Sequence, residues 1–534
     1  MRIRCREIFR KIPFTWVFVV IISAIFENTD IKLFVSVFSN NIRSKKRYGE
    51  MEETTKKKDT KYYVHSVIGL VLMFGIPMLP PVEPITHIGM QIGGIFIGLV
   101  YLWSTVGLFW PSLIGIVAFA FTDYTDMMGM FSAFSAYLPM LMLFCMILFG
   151  AIGDCGLTRY IAHWFLSRKI INGRPSVFNF FFFLAVFAVS AIVDPLMAML
   201  VLWPTMYIIF EEVGYEKTDP YCKIMLVASF VAVTLGQSTL PFFGGQLVIL
   251  GAFEVASGIP TNYAAYIFFN VVTSVAILAA LTLVIKFVLR PDMSKMAQIS
   301  IEQINKEELP PMNVQQKAYV VVTVLFFIFA LGPSVLPADW AITQFMDDLN
   351  LVGFCFLALG ILALIKVDGK PILEPVRICK EYVMWDLYLL VVLCVFLAGC
   401  LMADETGIRE WLVGLLTPVF VSGGPIFFGV ALIVIGALVT NVANNAIIGA
   451  ILMQIIVAMG PVVGVQNQAA LAMTVTLATF MAILTPAGSP YAAVFHSNKD
   501  KISSGEILKY GGIMMVFGLL VYVLIGWPLA NLIF

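Results

Sequence analysis

The chain has 534 residues, of which 60% are hydrophobic and 12% are charged, and its 33 Lys and Arg balance its 33 Asp and Glu. A soluble domain carries about 25% charge, so a soluble globular fold is excluded; the neutral balance gives no sign of a nucleic-acid partner, and none is expected. The apolar runs are long and continuous, not alternating segments of roughly ten residues, and a bilayer admits only helices or closed barrels, so the chain is read as an all-α polytopic membrane protein.

The eight cysteines form no Cys-x-x-Cys pair. Several lie in apolar runs, where a thiol behaves as a small hydrophobe. The four histidines show no metal-ligand spacing.

In chain order, residues 1–63 read as an N-terminal extension and basic cytoplasmic leader. The apolar run at 14–26 is short for a span, and Met51 opens a more usual start. Residues 1–50 are therefore expected to be an upstream extension or a mis-called start, with a signal-anchor as the alternative. The first half, 64–289, has spans at 65–79, 88–103, 104–122 and 137–155. A segment at 177–210 follows, broken at Ser190-Ala-Ile-Val-Asp194-Pro195-Leu196. Next come a span at 224–253, interrupted at 239–246, and one at 262–289. The polar stretch 290–317, with Pro310-Pro311, reads as a cytoplasmic linker.

The second half, 318–534, repeats the order. Spans at 318–335, 351–365 and 387–402 precede a segment at 426–459, broken at Thr440-Asn441-Val-Ala-Asn444-Asn445-Ala446. A span at 469–495, interrupted at 485–490, and one at 513–533 complete it. The two breaks are 444 − 194 = 250 residues apart. Phe149-Gly-Ala-Ile-Gly-Asp-Cys-Gly156-Leu-Thr-Arg159 also resembles Ala398-Gly-Cys-Leu-Met-Ala-Asp-Glu-Thr-Gly407-Ile-Arg409.

Basic residues mark the cytoplasmic side. They cluster in the leader, at Arg168, Lys169 and Arg174, in the linker, at Lys366, Lys370, Arg377 and Lys380, and at Lys499 and Lys501. All fall on one side only if 177–210 and 426–459 each enter and leave on the same face. They are then re-entrant hairpins with Asp194 and Asn444 near their tips. About eleven transmembrane helices plus two hairpins result, with the N-terminus inside, the C-terminus outside, and an inverted repeat of the kind found in transporters.

A helix that stops inside a membrane leaves N–H and C=O groups unpaired. Its N-terminus attracts anions, and freed carbonyls coordinate Na⁺. One Na⁺ site can be built from Ser190, Asp194 and carbonyls near Phe242, and a second from Thr440, Asn444, Asn445 and carbonyls near Ala487. Plainer roles stand beside these. Ser190 and Thr440 can bond back to the carbonyl four residues earlier. Asp194-Pro195 can be a helix N-cap with proline in the first position. Asn444-Asn445 can bridge helices, and Gly244-Gly245 and Gly488-Ser489-Pro490 can be kinks. Asp154, Glu254, Asp386 and Asp404 are expected at interfaces. An intramembrane enzyme lacks its signature motifs here, and a channel fits paired discontinuous helices less well than alternating access does.

Several stretches resemble the divalent anion:Na⁺ symporter family, the sodium–dicarboxylate cotransporters of the ion transporter superfamily. They are Leu102-Trp103 to Trp110-Pro111, Met384-Trp385-Asp386, and Leu508-Lys-Tyr-Gly511 through Gly526-Trp-Pro528. The similarity runs from about residue 64 to 534. It implies an elevator-type transporter, a homodimer in the cytoplasmic membrane, and Na⁺-coupled symport of a small organic anion of di- or tricarboxylate type. Its substrate positions fall on Pro195, Leu196, Asn445 and Ala446 at the tips and on Gly245, Gln246, Ser489 and Pro490 at the breaks. The family's hydroxyl one turn before each tip is kept as Ser190 and Thr440, and Gly236 and Thr239 match its glycine-threonine lead into the first break. The family's Ser-Asn-Thr tips are replaced here. Pro195, Leu196 and Ala446 cannot donate from side chains, and Asp194 repels a nearby carboxylate. H⁺ is accordingly the alternative coupling ion, and a non-dicarboxylate substrate the alternative cargo.

Overall fold

The computed structural model describes residues 60–242, 244–298 and 310–534. The expectations for residues 1–50, for most of the leader, for the middle of the linker and for Phe243 lie outside the described residues. The chain divides into two compact units, one of Met1–Phe131 with Ala403–Ile408, the other of Ser132–Met402 with Arg409–Phe534.

In the smaller unit, helices Thr60–Gly75 and His87–Thr105 pack through glycines. A Cβ on Gly98 would lie 2.5 Å from Met73 Cβ. The distant stretch 403–408 belongs here because its backbone bonds to the start of the second helix. Thr86 N–H donates to Thr406 O at 3.0 Å, and Thr86 Oγ1 donates to Glu405 O at 2.7 Å. The turn at Gly407 takes φ +66°, and a Cβ there would overlap the Pro84 carbonyl. That conformation favours glycine on two counts.

In the larger unit, the element order of the two halves matches. Helix Tyr137–Asp154 ends at Gly156, with φ +80°, before a short amphipathic helix Leu157–Leu166. Gly407 has the same left-handed turn before helix Ile408–Phe420. Both short helices lie between spans and are too short to be read as spans from apolar run length. Each hairpin then begins at a proline in the first turn, where the missing N–H costs nothing. The arms are Pro175–Ile192 with Pro195–Glu212, and Gly424–Val439 with Asn445–Val463. After each hairpin comes a broken helix. The first is Pro220–Gln237 then Gly245–Ser257; the second is Gln468–Thr479 then Pro490–His496.

Thirteen helices among the described residues are long and apolar enough to cross a membrane. Four of the thirteen carry hairpin arms. Setting those aside, and adding the short helix Phe109–Ala120 and the second broken helix, returns the eleven expected spans. One boundary has a visible cause. Helix Ala341–Leu364 is interrupted at Asn350, with φ +46°, whose side chain caps Val352 N–H at 2.9 Å and restarts the helix at the residue where a span was expected. The expected interfacial position of Asp154 is the last residue of its helix, where Arg377 grips both carboxylate oxygens, at 3.0 and 2.5 Å.

Alanine at Gly407 is expected to lower stability by about 1–3 kcal/mol from backbone strain, with the carbonyl overlap adding to it. Gly512, which has nothing within 4 Å of its virtual Cβ, serves as control. Melting of the detergent-purified protein should drop for Gly407→Ala and hold or rise for Gly512→Ala.

Candidate functional site

At the first tip, Asp194 is the N-cap of the second arm. Its Oδ1 accepts from Leu196 N–H at 2.7 Å and Met197 N–H at 3.2 Å, with Pro195 in the first helical position. At the second tip, Asn444 does the same, its Oδ1 accepting from Ala446 N–H at 3.0 Å. The N-cap role is thus real at both tips. Ser190 does not bond back along its own helix: its hydroxyl donates to Val233 O at 2.7 Å, in the first broken helix. Gly236 lies at the same crossing, where a Cβ would stand 2.5 Å from Phe187 O. Ser190 and Gly236 are therefore brought together by close packing of the hairpin on the broken helix. Thr440 Oγ1 is fully buried and has no hydrogen-bond partner.

The first break is held from outside. Thr239 Oγ1 donates to Asn270 Oδ1 at 3.0 Å, while Asn270 Nδ2 and Tyr266 OH donate to the freed Ser238 carbonyl at 2.8 and 2.7 Å. Gln246 Nε2 donates to Leu240 O at 2.6 Å across the gap. Its Oε1 is left buried and unpartnered. Gly244 turns the chain at φ +80°, ψ −165°, a region open essentially to glycine alone. The Phe242 ring packs on Tyr263 and Phe326 at 5.3 and 5.0 Å, so its side chain anchors the break to the next helices.

The second break is held by the second tip itself. Asn441 Nδ2 donates to Ala437 O at 2.6 Å, and its Oδ1 accepts from Leu484 N–H at 2.7 Å. Thr485 Oγ1 donates to the Asn441 carbonyl. Asn445 N–H donates to Gly488 O at 3.1 Å, and a Cβ on Gly488 would lie 2.8 Å from Thr440 O. Ser489 Oγ caps the helix opened by Pro490, accepting from Ala492 N–H at 3.1 Å. His496 Nε2 donates to Ile483 O at 3.2 Å. Around this break Ala487 and Pro490 are exposed, whereas Gly245 and Gln246 at the first are buried.

Four helix N-termini are linked through these contacts. Tyr491 OH, in the fragment opened by Ser489 and Pro490, reaches Asp194 Oδ2 at 3.5 Å. Gly488, just before that fragment, holds Asn445. A Cβ on Gly245 would lie 3.2 Å from Ala446 Cβ and 3.5 Å from Asn445 Oδ1. Each half thus lends its broken-helix fragment to the hairpin of the other half. The sequence reading named Asp194, Asn445, Gly245 and Ser489. It missed the holders Asn270, Tyr266, Tyr491 and His496, and gave Asn441 no role although its polarity in an apolar run was visible. No group of three or more His, Cys, Asp or Glu among the described residues could hold a metal ion. A cation here would draw on hydroxyl, amide and carbonyl oxygens.

Comparison with known proteins gives the following. The model of the CitMHS family, described as citrate transporter, matches residues 99–479. The structure resembles the YdaH transporter of Alcanivorax borkumensis, described as having an unusual topology. The TM-score is 0.55 at 14% identity, over 84% of this chain and 99% of that one. It also resembles MtrF of Neisseria gonorrhoeae, described as illuminating a class of antimetabolite efflux pumps. There the TM-score is 0.54 at 15% identity, over 87% of this chain and 94% of that one. At such identities the likeness speaks for the fold alone. No curated protein matched the chain.

Replacing Asn441 by Leu would leave the Leu484 N–H buried without its acceptor. An orphaned buried group costs about 1–3 kcal/mol. A fall in the detergent melting temperature is expected, larger than that of Asn531→Leu, a change at an exposed side chain bonded only to Trp527 O within its own helix.

Proposed function

The chain belongs to the citrate transporter family, and from that premise we propose that it is a cation-coupled secondary transporter of a small organic anion bearing two or three carboxylates, with citrate the first candidate. Membership of a transporter family sets aside the intramembrane-enzyme reading. The observation that carries the proposal is the linkage of four helix N-termini within one cluster. Each N-terminus carries the positive end of a helix dipole, worth about 0.3–1 kcal/mol toward an anion and up to ~2 kcal/mol when partly buried, and those at Asn444 and Ser489 are capped by neutral side chains that take one amide each.

The four ends are not equivalent. At Asp194 the chain's own carboxylate already takes the amides of Leu196 and Met197. A substrate carboxylate is therefore assigned to the other tip and the facing fragment: the Asn445 side chain with Ala446, Gly245 and Gln246, and Ser489 and Pro490 at the rim. Pro195 and Leu196 take an apolar role there. The coupling cation is assigned to oxygens lacking protein donors or cations: Thr440 Oγ1 and Gln246 Oε1, both buried and unpartnered, with carbonyls near Gly488 and Ala487. Hard cations favour such oxygen ligands. Na⁺ is the first choice. H⁺ on Asp194 is the alternative, because a carboxylate at membrane depth needs a partner, a cation or a proton. The site formed by Ser190, Gly236 and Phe242 is the weaker cation candidate, since the Ser190 proton is committed to Val233 O.

The hairpins and broken helices form one packed body and are proposed to move as the transport domain of an elevator, in a homodimer in the cytoplasmic membrane with the N-terminus inside and the C-terminus outside. This transport scheme parallels that implied by the resemblance to the divalent anion:Na⁺ symporters.

Three outcomes check the proposal. Proteoliposomes should accumulate labelled citrate when a Na⁺ or H⁺ gradient is imposed; equal uptake with and without both gradients would end the coupling claim. Asn445→Ala removes a hydrogen bond to a charged group, worth about 1.5–3 kcal/mol, so the KM for the anion should rise roughly ten- to hundredfold. Asp194→Asn should change the cation or pH dependence of uptake in the same assay if Asp194 carries the coupling ion, and unchanged coupling assigns that ion elsewhere.

A further inference from the structure

Beside the first hairpin lies a cavity of about 350 Å³ whose lining includes none of the residues assigned to the anion or the cation. Its volume falls in the range of small-molecule sites, roughly 300–1,000 Å³. Ile152, Ile161, Trp164, Ile192, Val320 and Val324 form much of its wall. Its two polar side chains are turned inward on the protein. Tyr160 OH donates to Pro310 O at 2.8 Å, and Thr323 Oγ1 donates to Tyr319 O at 2.7 Å. Among the lining side chains only the Trp164 indole N–H is left as a donor, too little for an anion with two or three carboxylates, so the transported anion does not fit here. A hydrocarbon chain does.

The cavity opens outward. Trp164 is 58% exposed, and Val324 on the facing helix is 54% exposed. Positive charge stands at this opening. The Arg168 guanidinium carbon lies 3.8 Å from the Trp164 ring centroid, stacked on the residue that forms the wall. Lys317 is exposed one turn before Val320 on the same helix face. Neither basic group has an ion-pair partner among the described residues. The basic-loop expectation puts both on the cytoplasmic side, where basic pockets between helices hold anionic headgroups.

We propose that this cavity binds one acyl chain of an anionic phospholipid, with the phosphate held at the mouth by Arg168 and Lys317. Charge at the mouth and an apolar interior match the two parts of such a lipid. The chain would lie against Ile192, the last residue of the first arm of the hairpin and two residues before Asp194. The lipid therefore props the element that carries the first tip against helix Val314–Val335. This inference does not depend on which anion is transported.

The test uses the full-length protein, delipidated in neutral detergent and titrated with phosphatidylglycerol or phosphatidylcholine. Bound lipid is read by native mass spectrometry, and stability by melting temperature, since a ligand of the folded state raises it by mass action. Phosphatidylglycerol should bind in preference and raise the melting temperature. In the double variant Arg168→Ala, Lys317→Ala its affinity should fall roughly thirtyfold, from two surface cations acting on one headgroup. Val324→Phe, which narrows the open side, should weaken both lipids and leave the lipid-free melting temperature unchanged. The charge variant remains informative if Val324→Phe fails to fold. Equal binding of the two lipids, or phosphatidylglycerol binding unchanged in the double variant, would overturn the proposal.

Discussion

A helix that begins inside a bilayer points unpaired amide N–H groups at a medium that cannot accept from them, and the four linked helix starts of this chain, set in strongly apolar sequence, face that constraint if they lie at membrane depth as proposed. Each unmet group in hydrocarbon costs several kcal/mol. The ends must therefore be capped from within the protein or must face a polar ligand. Asp194, Asn444 and Ser489 supply caps from their own side chains. Gly244 supplies none, being without a side chain, so the first break leaves its helix start uncapped, and the Gln246 amide donates across the gap to a freed carbonyl, Leu240 O. The carbonyls freed at the other side of each break raise the same demand. Tyr266 and Asn270 answer it at Ser238 O. The arrangement of hairpins, breaks and flanking helices follows from meeting these needs.

This constraint explains which parts could be read from the sequence. A proline or a pair of asparagines in an apolar run stands out against its surroundings. Asp194-Pro195, Asn444-Asn445 and the Gly/Pro interruptions gave the hairpins, the broken helices and the repeat of 250 residues. The partners that answer the unpaired groups do not stand out. Asn270 is one polar residue in a helix of 22, and a tyrosine such as Tyr266 is ordinary anywhere in a membrane protein. Their meaning comes from a contact across some thirty positions, which periodicity does not encode. The stretch 403–408 is a similar case: nothing in Asp404-Glu-Thr-Gly407 announces that its backbone bonds to Thr86, more than three hundred residues away. The left-handed glycines 156 and 407 were visible as matching letters, but the short helices they open were not. Those helices have the amphipathic character of surface elements and no apolar run of spanning length.

Close packing supplies the second requirement. Gly236 sits where the first hairpin meets its broken helix, and Gly488 sits where the second tip meets its own; at each, a Cβ would approach a backbone carbonyl within 2.8 Å. Backbones that approach this closely are typical of small residues at membrane helix interfaces. Here they bring hydroxyl side chains to the seam, Ser190 at one and Thr440 at the other. The two seams have different outcomes. Ser190 finds the Val233 carbonyl, whereas Thr440 Oγ1 finds nothing in the protein.

The inequality of the two tips then bears on what can bind. A fixed carboxylate at Asp194 consumes the attraction of one helix end for an anion and adds repulsion toward a second one. An amide at Asn445 is neutral and can donate to a carboxylate, and its own backbone N–H is already placed by Gly488 O. Where the first tip is sealed by its own charge, the second has exposed neighbours in Ala487 and Pro490. The two halves, alike in element order, thus differ in charge at their tips. One half holds a negative charge that a coupling cation or proton can neutralise, and the other keeps neutral donors at a helix end that an anion can approach. On the alternative proposed above, a proton taken up at Asp194 would weaken the repulsion an approaching anion meets from the first tip, and by linkage the anion would favour the proton equally.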